Sequence, residues 1–128
     1  AGAGVDHFGI LVGSGTLAFD FEQYALESQI MDGVGAGQLS HVEMGAPTVE
    51  AVGTTKRATY RRFFNNNSGA AITVGEIGFF CYAAYHRAGY CGALSRVMVA
   101  RDVLATPIDV PDAGQLRGTY IIELPYPA

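Results

Sequence analysis

Apolar and polar residues alternate along most of this chain, which is the pattern of β-strands with one buried face. Runs of Gly, Asn, Asp, Ser and Pro separate the alternating segments and mark turns. The pattern predicts seven or eight short strands, at residues 7–12, 38–44, 48–52, 56–64, 72–83, 91–101, 106–111 and 115–124. Many short strands in a small domain are typical of an antiparallel β-sandwich or jelly roll, so the sequence predicts an all-β fold.

One segment departs from the alternation and has a helical period. The run DFEQYALESQI begins with Asp20, and Gln23 follows three residues later, which is a capping-box arrangement. Phe21 and Tyr24 then lie along one face of the predicted helix. The sequence therefore predicts one short inserted helix of about three turns. The glycine-rich stretch 33–37 ends it.

The predicted strand at 106–111 contains Pro107 and Pro111. Proline has no backbone N–H and cannot donate a hydrogen bond to a neighbouring strand. We therefore expect this segment at the edge of a sheet.

Composition agrees with one well-packed domain over residues 1–128. Charged residues make up 16% and apolar residues 49%, a balance that argues against intrinsic disorder. The longest apolar runs fall far short of the roughly 20 residues that a membrane helix needs. Because the chain begins with Ala rather than Met, we expect it to be processed or to lack a natural N-terminal segment.

Charge is unevenly distributed along the chain. Residues 1–50 carry seven acidic side chains and no Lys or Arg, whereas residues 51–128 carry eight basic and five acidic ones. If the two parts occupied different faces, copies of the protein would attract one another or dock on a larger assembly. The alternative is that the two parts neutralise each other within one fold.

Glu76 is the one carboxylate in the apolar stretch ITVGEIGFF. In a regular strand it would share a buried face with Val74, and an unpaired charge there would cost several kcal/mol. A bulge at Gly75 removes the conflict, because one extra residue reverses the facing of everything that follows. Ile77 would then continue the inward set while Glu76 pointed elsewhere.

Two roles are open to Glu76. A general base would need a second titrating group and a cleft, and the neighbouring sequence supplies neither. A structural carboxylate needs only a cation across the sheet, and Arg96 and Arg101 on the predicted return strand are both placed to provide it. We favour the structural ion pair.

No catalytic or metal-binding pattern accompanies these strands. His7, His41 and His86 show no metal-ligand spacing with one another or with the cysteines. The chain contains neither a phosphate-binding loop nor a Gly-x-Ser-x-Gly nucleophile motif. We therefore expect no enzymatic activity, no cofactor and no metal.

Cys81 and Cys91 lie ten positions apart on either side of a predicted hairpin tip. They are candidates for a disulfide, which requires Cα atoms within about 7 Å. Free cysteine is also one of the most commonly buried residue types, so two reduced thiols are the alternative.

Half of the basic residues form one cluster at Lys56, Arg57, Arg61 and Arg62. With neighbouring aromatic residues they could form a nucleic-acid stripe. In a strand, however, Arg57 and Arg61 point to one face and Lys56 and Arg62 to the other, and the chain is acidic overall. A docking surface for an acidic protein partner fits better than nucleic-acid binding.

Several segments resemble a group of small virion-associated proteins encoded by tailed bacteriophages. The segments are GILVGSGT, YALESQI with MDGVGAGQL, RRFFNNNSGAAITVGEIGFF, and VMVARDVLATPIDVPDAGQLRGTYIIELP. The similarity extends over nearly the whole chain. The chain departs from the group at Cys81, Cys91 and the bulky segment FFCYAAYH.

The resemblance implies a non-enzymatic β-sandwich that is present in many copies on the virion and assembles in the host cytoplasm. A capsid-decoration or accessory protein would bind the major capsid protein as an oligomer, and the symmetry of capsid sites favours a trimer. Its contact surfaces would be the basic cluster and the acidic N-terminal part, and neither nucleic acid nor membrane would be a partner.

The alternative within the same resemblance is a tail-fibre or baseplate module. Such a module would contact the host surface through aromatic residues of the predicted hairpin, namely Tyr82, Tyr85, His86 and Tyr90. These residues could instead be ordinary cross-strand pairs. A small hydrolase is a third hypothesis, for which the sequence shows no catalytic constellation.

Overall fold

The described part of the protein consists of β-strands and the turns between them. We analysed a computed structural model, which describes residues 3–18, 25–85 and 93–125. The strands are β1 (Gly9–Gly13), β2 (Ser40–His41), β3 (Thr48–Val52), β4 (Thr55–Asn65), β5 (Ile72–Tyr85), β6 (Ala93–Val110) and β7 (Gln115–Pro125). All pairings between these strands are antiparallel. The prediction of an all-β sandwich is confirmed.

The strands form two sheets. In the first sheet β5 lies between β1 and β6. In the second sheet β4 is central, and β7 pairs with it along the full length from Thr55 to Asn65. Two short strands pair with the opposite edge of β4. β3 pairs near the beginning of β4, and β2 pairs near the end of β4. β6 and β7 therefore each have one side without a partner among the described strands.

The predicted inserted helix is not seen. Residues 20–24 lie outside the described residues, and residues 25–30 form bends and one isolated bridge between Gly13 and Gln29. The backbone of this segment bonds to β1 instead, since Ile30 N donates to Val12 O and Ser14 N donates to Ser28 O, both at 2.9 Å. These tertiary hydrogen bonds outweigh the modest helical preference of the sequence.

The expected reversal of side-chain facing at Gly75 is present. The pairing of β5 with β6 shifts register between Val74, which faces Ile108, and Glu76, which faces Val103. Gly75 alone therefore opposes four residues of β6, and the extra length lies in β6 rather than in β5. The segments predicted as two strands, 91–101 and 106–111, fall largely within this one long strand, Ala93–Val110, and its place at the edge of the sheet agrees with Pro107.

The main core lies between the two sheets. Ile10, Val12 and Phe79 of the first sheet pack in one buried cluster with Phe64 of the second. Tyr120 joins the sheets, because its hydroxyl lies 3.0 Å from Ile77 O. A smaller cluster of Leu11, Leu26 and Phe80 covers the other face of the first sheet. The first sheet is thus buried on both faces, which explains why every residue of β1 is buried.

One end of the sandwich is closed by two turns that Asn66 ties together. Its side-chain amide donates to Ala70 O at 2.8 Å and to Val110 O at 2.9 Å. Its side-chain oxygen accepts from Ser68 N and Ser68 Oγ, as expected for an Asn-Asn-Ser turn. Asn66 is fully buried, so this end is a packed part of the fold.

Candidate functional site

Glu76 and Arg101 form an ion pair on the outer face of the first sheet. Arg101 Nε donates to Glu76 Oε1 at 2.9 Å, and both side chains are fully buried. The carboxylate also accepts backbone N–H groups from Gly15 at 2.8 Å and from Glu27 and Ser28 at 2.9 Å each. Four donors therefore surround one carboxylate. Of the two arginines proposed as partners of Glu76, the structure places Arg101 against the carboxylate. The side chain of Arg96 lies outside the described residues.

Glycines make room for this carboxylate. A Cβ on Gly13 would lie 2.5 Å from Ser28 O and 2.6 Å from Glu76 Oε2, and one on Gly15 would collide with the same Glu76 oxygen. Gly75 is equally close to the loop, since its Cβ would lie 2.7 Å from Gly15 O. The glycines around Glu76 thus allow the loop backbone to approach the carboxylate.

Glu76 is a charged structural group. Burial by itself raises the pKa of the Glu76 carboxyl, but the hydrogen bonds from Arg101 and from the amides of Ser28, Glu27 and Gly15 outweigh it, so the pKa is lowered. A carboxylate that is ionised, buried and already bonded to four donors has little capacity to accept a substrate proton. The geometry therefore favours architecture over general-base chemistry.

Arg62 lies in the core and not on the surface. Its guanidinium donates to Val42 O at 2.8 Å, Val5 O at 2.6 Å, Ile10 O at 3.2 Å and Phe8 O at 3.4 Å. Three of these carbonyls belong to the segment that leads into β1 or to β1 itself, so Arg62 covers the first part of the β1 edge, and residues 28–30 cover the rest. The prediction that Arg62 belongs to a contact surface is wrong, because its face of β4 is the buried one.

His41 packs beside Arg62 with one ring nitrogen unsatisfied. Its Nδ1 lies 2.9 Å from Leu39 O, and its ring packs edge-on against Phe64. His41 Nε2 is buried and has no hydrogen-bond partner among the described residues. Burial, and to a lesser degree the Arg62 charge, lower the pKa of His41 below its ordinary value, although the Leu39 carbonyl and the Asp32 carboxylate act in the opposite direction.

Asp32 connects this cluster to the N-terminal segment. Its Oδ1 accepts His41 N at 2.8 Å, and its own N donates to Asp6 Oδ2 at 3.1 Å. Within residues 3–18, 25–85 and 93–125, no group of three or more His, Cys, Asp or Glu side chains is arranged to hold a metal ion. The Arg62 cluster thus joins buried Arg62 and His41 to the half-buried Asp32 carboxylate, whose Oδ1 lies 3.5 Å from His41 Nδ1.

An apolar surface remains at the opposite end of the second sheet. We call it the end patch, and it consists of Val49, Ala58, Tyr60, Ile122 and Leu124. These residues lie on the face of the second sheet that carries the core further along, and they line a cleft of about 270 Å³. Val49 is 64% and Leu124 67% exposed. The end patch is therefore a continuation of the core face that the described chain leaves open to solvent.

Lys56 and Arg57 lie at this end, whereas Arg61 lies further along β4 on the outer face, opposite Thr119. Arg57 points to the outer face and pairs with Glu123 at 3.0 Å and with Glu50 at 3.4 Å. Arg61 and Lys56 are exposed, and Lys56 also lines the end-patch cleft. Three of the four predicted contact residues are thus accessible.

The predicted hairpin residues are only partly described. Tyr82 and Tyr85 belong to β5, but their side chains lie outside the described residues, as do His86, Tyr90 and Cys91 altogether. Cys81 faces Val97 across the sheet and carries a free thiol. The ladder of β5 and β6 runs on to the pair of Tyr85 and Ala93, whereas β1 reaches only as far as Phe80.

The alternation of β4 contained a signal for the Arg62 cluster. Tyr60, Arg62 and Phe64 have the same parity, so an arginine flanked by two aromatic residues on one face indicates that face as the core. Nothing comparable marks His41 or Asp32, because their proximity to Arg62 depends on how β2 and the N-terminal segment fold over the second sheet. They were missed for that reason.

Comparisons of this chain with protein-family models, with curated proteins and with solved structures found no match. In the part of the chain that the structure describes, no helix has the length and apolar character needed to span a membrane.

Proposed function

We propose that this protein is a non-enzymatic structural component of a bacteriophage virion, most simply a capsid decoration or accessory protein. The observation that carries the proposal is the end patch, where the core face of the second sheet continues into exposed Val49 and Leu124. Contiguous apolar surface rimmed by polar residues is characteristic of protein–protein contacts. The resemblance to small virion proteins supplies the class of partner.

The charges around the end patch suit a polar rim. Lys56 is exposed and lines the end-patch cleft, and Arg57 at its margin is held by Glu50 and Glu123. The buried ion pair of Glu76 and Arg101 braces the opposite sheet and leaves no charged group of that pair on the surface. A rigid scaffold with an apolar centre and a rim of mixed charge fits docking on a protein lattice.

The proposal is tested with phage particles that lack the protein. Purified protein is added back, and bound copies per particle are counted by quantitative mass spectrometry. We expect hundreds of copies on the capsid and loss of binding by Val49→Asp, which puts a charge in the end patch. Val34→Asp is the matched control, since Val34 is 66% exposed on a loop elsewhere. Failure to bind any particle, or equal binding by Val49→Asp, would refute the proposal.

A tail-fibre or baseplate module is the second candidate. It is favoured by the long β5–β6 ladder, which extends five residue positions of β5 past the end of its pairing with β1, from Phe80 to Tyr85. The same count separates the two candidates, because a few dozen copies or fewer per particle indicate the tail. Binding of the isolated protein to host cells would also favour the tail.

A further inference from the structure

The outer edge of β7 is an open β-strand edge. Among the described strands β7 pairs with β4 alone, so its other side presents unpaired backbone N–H and C=O groups over Gln115–Pro125. Exposed apolar side chains accompany this edge, with Ile121 54% and Leu124 67% exposed. An open edge of this length is a template on which another strand can pair.

A row of three charged side chains crosses the outer face of the second sheet and ends at this edge, with two carboxylates and one cation. Glu50 of β3 faces Arg57 of β4, and Arg57 faces Glu123 of β7. The Arg57 guanidinium reaches both carboxylates, at 3.4 Å to Glu50 and 3.0 Å to Glu123. Two carboxylates thus share one cation, and the row has a surplus negative charge at the open edge.

The same strand carries the missing cation at its other end. Arg117 is exposed, and it lies on the same face of β7 as Glu123 because their positions in the strand differ by six, an even number. Arg117 faces Phe63 of β4 and forms no ion pair among the described residues. An unpaired cation and a surplus anion on one edge make that edge complementary to itself.

We infer that β7 pairs antiparallel with β7 of a second copy of this chain, in the register that sets Arg117 against Glu123 of the second copy. In this register Thr119 faces Ile121 of the second copy, and Tyr120 lies on the two-fold axis. Each ion pair then occurs twice, as required for an isologous contact. Each charge row becomes Glu50, Arg57, Glu123 and the Arg117 of the other copy, which alternate in sign.

Registers shifted by one or two residues lack the pairing of Arg117 with Glu123 of the second copy. A shift by one residue sets outward-pointing backbone groups against inward-pointing ones and exchanges the faces of the strand. A shift by two places Gln115 or Thr119 opposite Glu123, so the charge pairing is lost. The charges therefore select one register.

The apolar residues of β7 match in the same register. Gly118 and Leu116 line a cleft of about 240 Å³ together with Leu104 and Ile108 of the first sheet. Ile122 and Leu124 of the second copy would lie opposite Gly118 and Leu116 on this face. A cavity of about 150 Å³ accommodates a benzene-sized molecule, so the cleft has room for an aliphatic side chain.

This two-fold contact does not rest on the proposed virion role, although it shares Ile122 and Leu124 with the end patch. It also replaces the three-fold arrangement expected from the symmetry of capsid sites. The end-patch variant Val49→Asp lies on β3, away from the β7 edge, so loss of particle binding and loss of self-association are separate measurements.

The test is sedimentation velocity of the full chain over a range of concentrations. We expect a monomer–dimer equilibrium. Arg117→Glu places like charges at both facing pairs and raises the dimer Kd by about tenfold or more. The matched control is Arg61→Glu, which makes the same charge change on an exposed residue of the central strand β4 and alters Kd by less than about threefold.

A charge exchange makes the test specific for the register. Glu123→Arg alone also weakens self-association, because it faces Arg117 of the second copy. When the Arg117→Glu and Glu123→Arg proteins are mixed, every facing pair has opposite charges, so heterodimers form with near wild-type affinity. In the wild-type dimer, hydrogen exchange should protect alternate amides of β7 that are unprotected in the monomer.

A strictly monomeric protein or a trimer would overturn the inference. So would a dimer that is indifferent to Arg117→Glu, or one that protects the edge of β3 or β6 and leaves β7 unprotected. Failure of the mixed variants to associate, while the wild type dimerises, would exclude this register.

Discussion

The two buried charged clusters of this protein satisfy their charges in different ways. On the outer face of the first sheet, Glu76 and Arg101 neutralise each other at 2.9 Å. On the core face of the second sheet, Arg62 directs its guanidinium to backbone carbonyls, such as Val42 O at 2.8 Å. In the first cluster the cation pairs with carboxylates, since Glu27 Oε2 also lies 3.9 Å from the Arg101 guanidinium, whereas in the second the cation bonds to neutral backbone acceptors. Because of this difference, we expect the loss of one partner to lower the free energy of unfolding more in the Glu76 cluster than in the Arg62 cluster.

His41 adds to the contrast between the clusters. It lies in the Arg62 cluster with Nε2 unsatisfied, so a proton on Nε2 would have no acceptor and would add a positive charge beside Arg62, although Asp32 Oδ1 lies 3.5 Å from Nδ1. The Glu76 cluster has no such unsatisfied side-chain atom in the described structure. We therefore expect the two clusters to respond to different pH ranges.

The largest effect is expected from Glu76→Gln. The substitution removes the nearest counter-charge of buried Arg101 and leaves only Glu27 Oε2 at 3.9 Å among the described ion pairs, which costs about 3 to 5 kcal/mol of the free energy of unfolding. Urea denaturation at neutral pH measures the loss. The double variant Glu76→Gln/Arg101→Met should be more stable than Glu76→Gln alone, because the buried cation that lost its nearest carboxylate is gone. Additive losses in the double variant would show that the two residues are not coupled.

Removal of the Arg62 cation should cost less. Arg62→Met keeps much of the aliphatic packing but leaves backbone carbonyls without a donor, at about 2 to 4 kcal/mol. No unpaired buried cation remains in that variant. Arg61→Met, the exposed neighbour on the same strand, is the control and should change stability by no more than about 0.5 kcal/mol. Equal effects of the two substitutions would contradict the buried position of Arg62.

Substitutions at the glycines around Glu76, which we call the glycine cradle (Gly13, Gly15 and Gly75), should cause the next largest loss of stability. Gly13→Ala would set a methyl group 2.5 Å from Ser28 O and 2.6 Å from the Glu76 carboxylate, and displacing the loop costs about 1 to 3 kcal/mol. Gly45→Ala is the matched control, since no atom lies within 4 Å of the position that its methyl group would occupy. Thermal unfolding should separate the two variants, and a Gly13→Ala protein as stable as Gly45→Ala would argue against the cradle.

The smallest effect is a pH dependence from His41. Its pKa is lowered in the folded protein relative to its ordinary value of 6.5, so the unfolded chain binds more protons as the pH falls below that value. Stability should therefore decline from about pH 6.5 downward, as measured by urea midpoints, and the decline should be smaller in His41→Phe. Identical pH profiles of the two proteins would rule out this role of His41.

Protonation of Glu76 should lower the stability in a different and more acidic pH range. Its pKa is lowered from 4.5, so its contribution to stability is complete above that value and is lost as the pH falls below it. Between about pH 6.5 and pH 4.5 the Arg62 cluster should thus weaken while the Glu76 cluster stays intact. Hydrogen exchange in that interval should increase first around β2 and only at lower pH around residues 13–17.

Part of the Glu76 site could be predicted from the sequence. The conflict between Glu76 and the apolar parity of Val74 indicated a flip at Gly75, and arginines on the return strand indicated a partner. The donation from the Gly15, Glu27 and Ser28 amides was not predictable, because those residues were expected in a helix or a turn. Their proximity to Glu76 arises from pairing of residues 28–30 with β1.

The strand and turn segments could be located from the sequence, because alternation, proline and turn chemistry act over a few neighbouring residues. The pattern identified 48–52 with the bounds seen in the structure and placed the proline-containing segment at an edge. The folded arrangement was needed to show that Arg62 is buried, that residues 25–30 are not helical and that β7 leaves an open edge. These features depend on which distant segments compete for the same backbone hydrogen bonds, and long-range packing settles that competition.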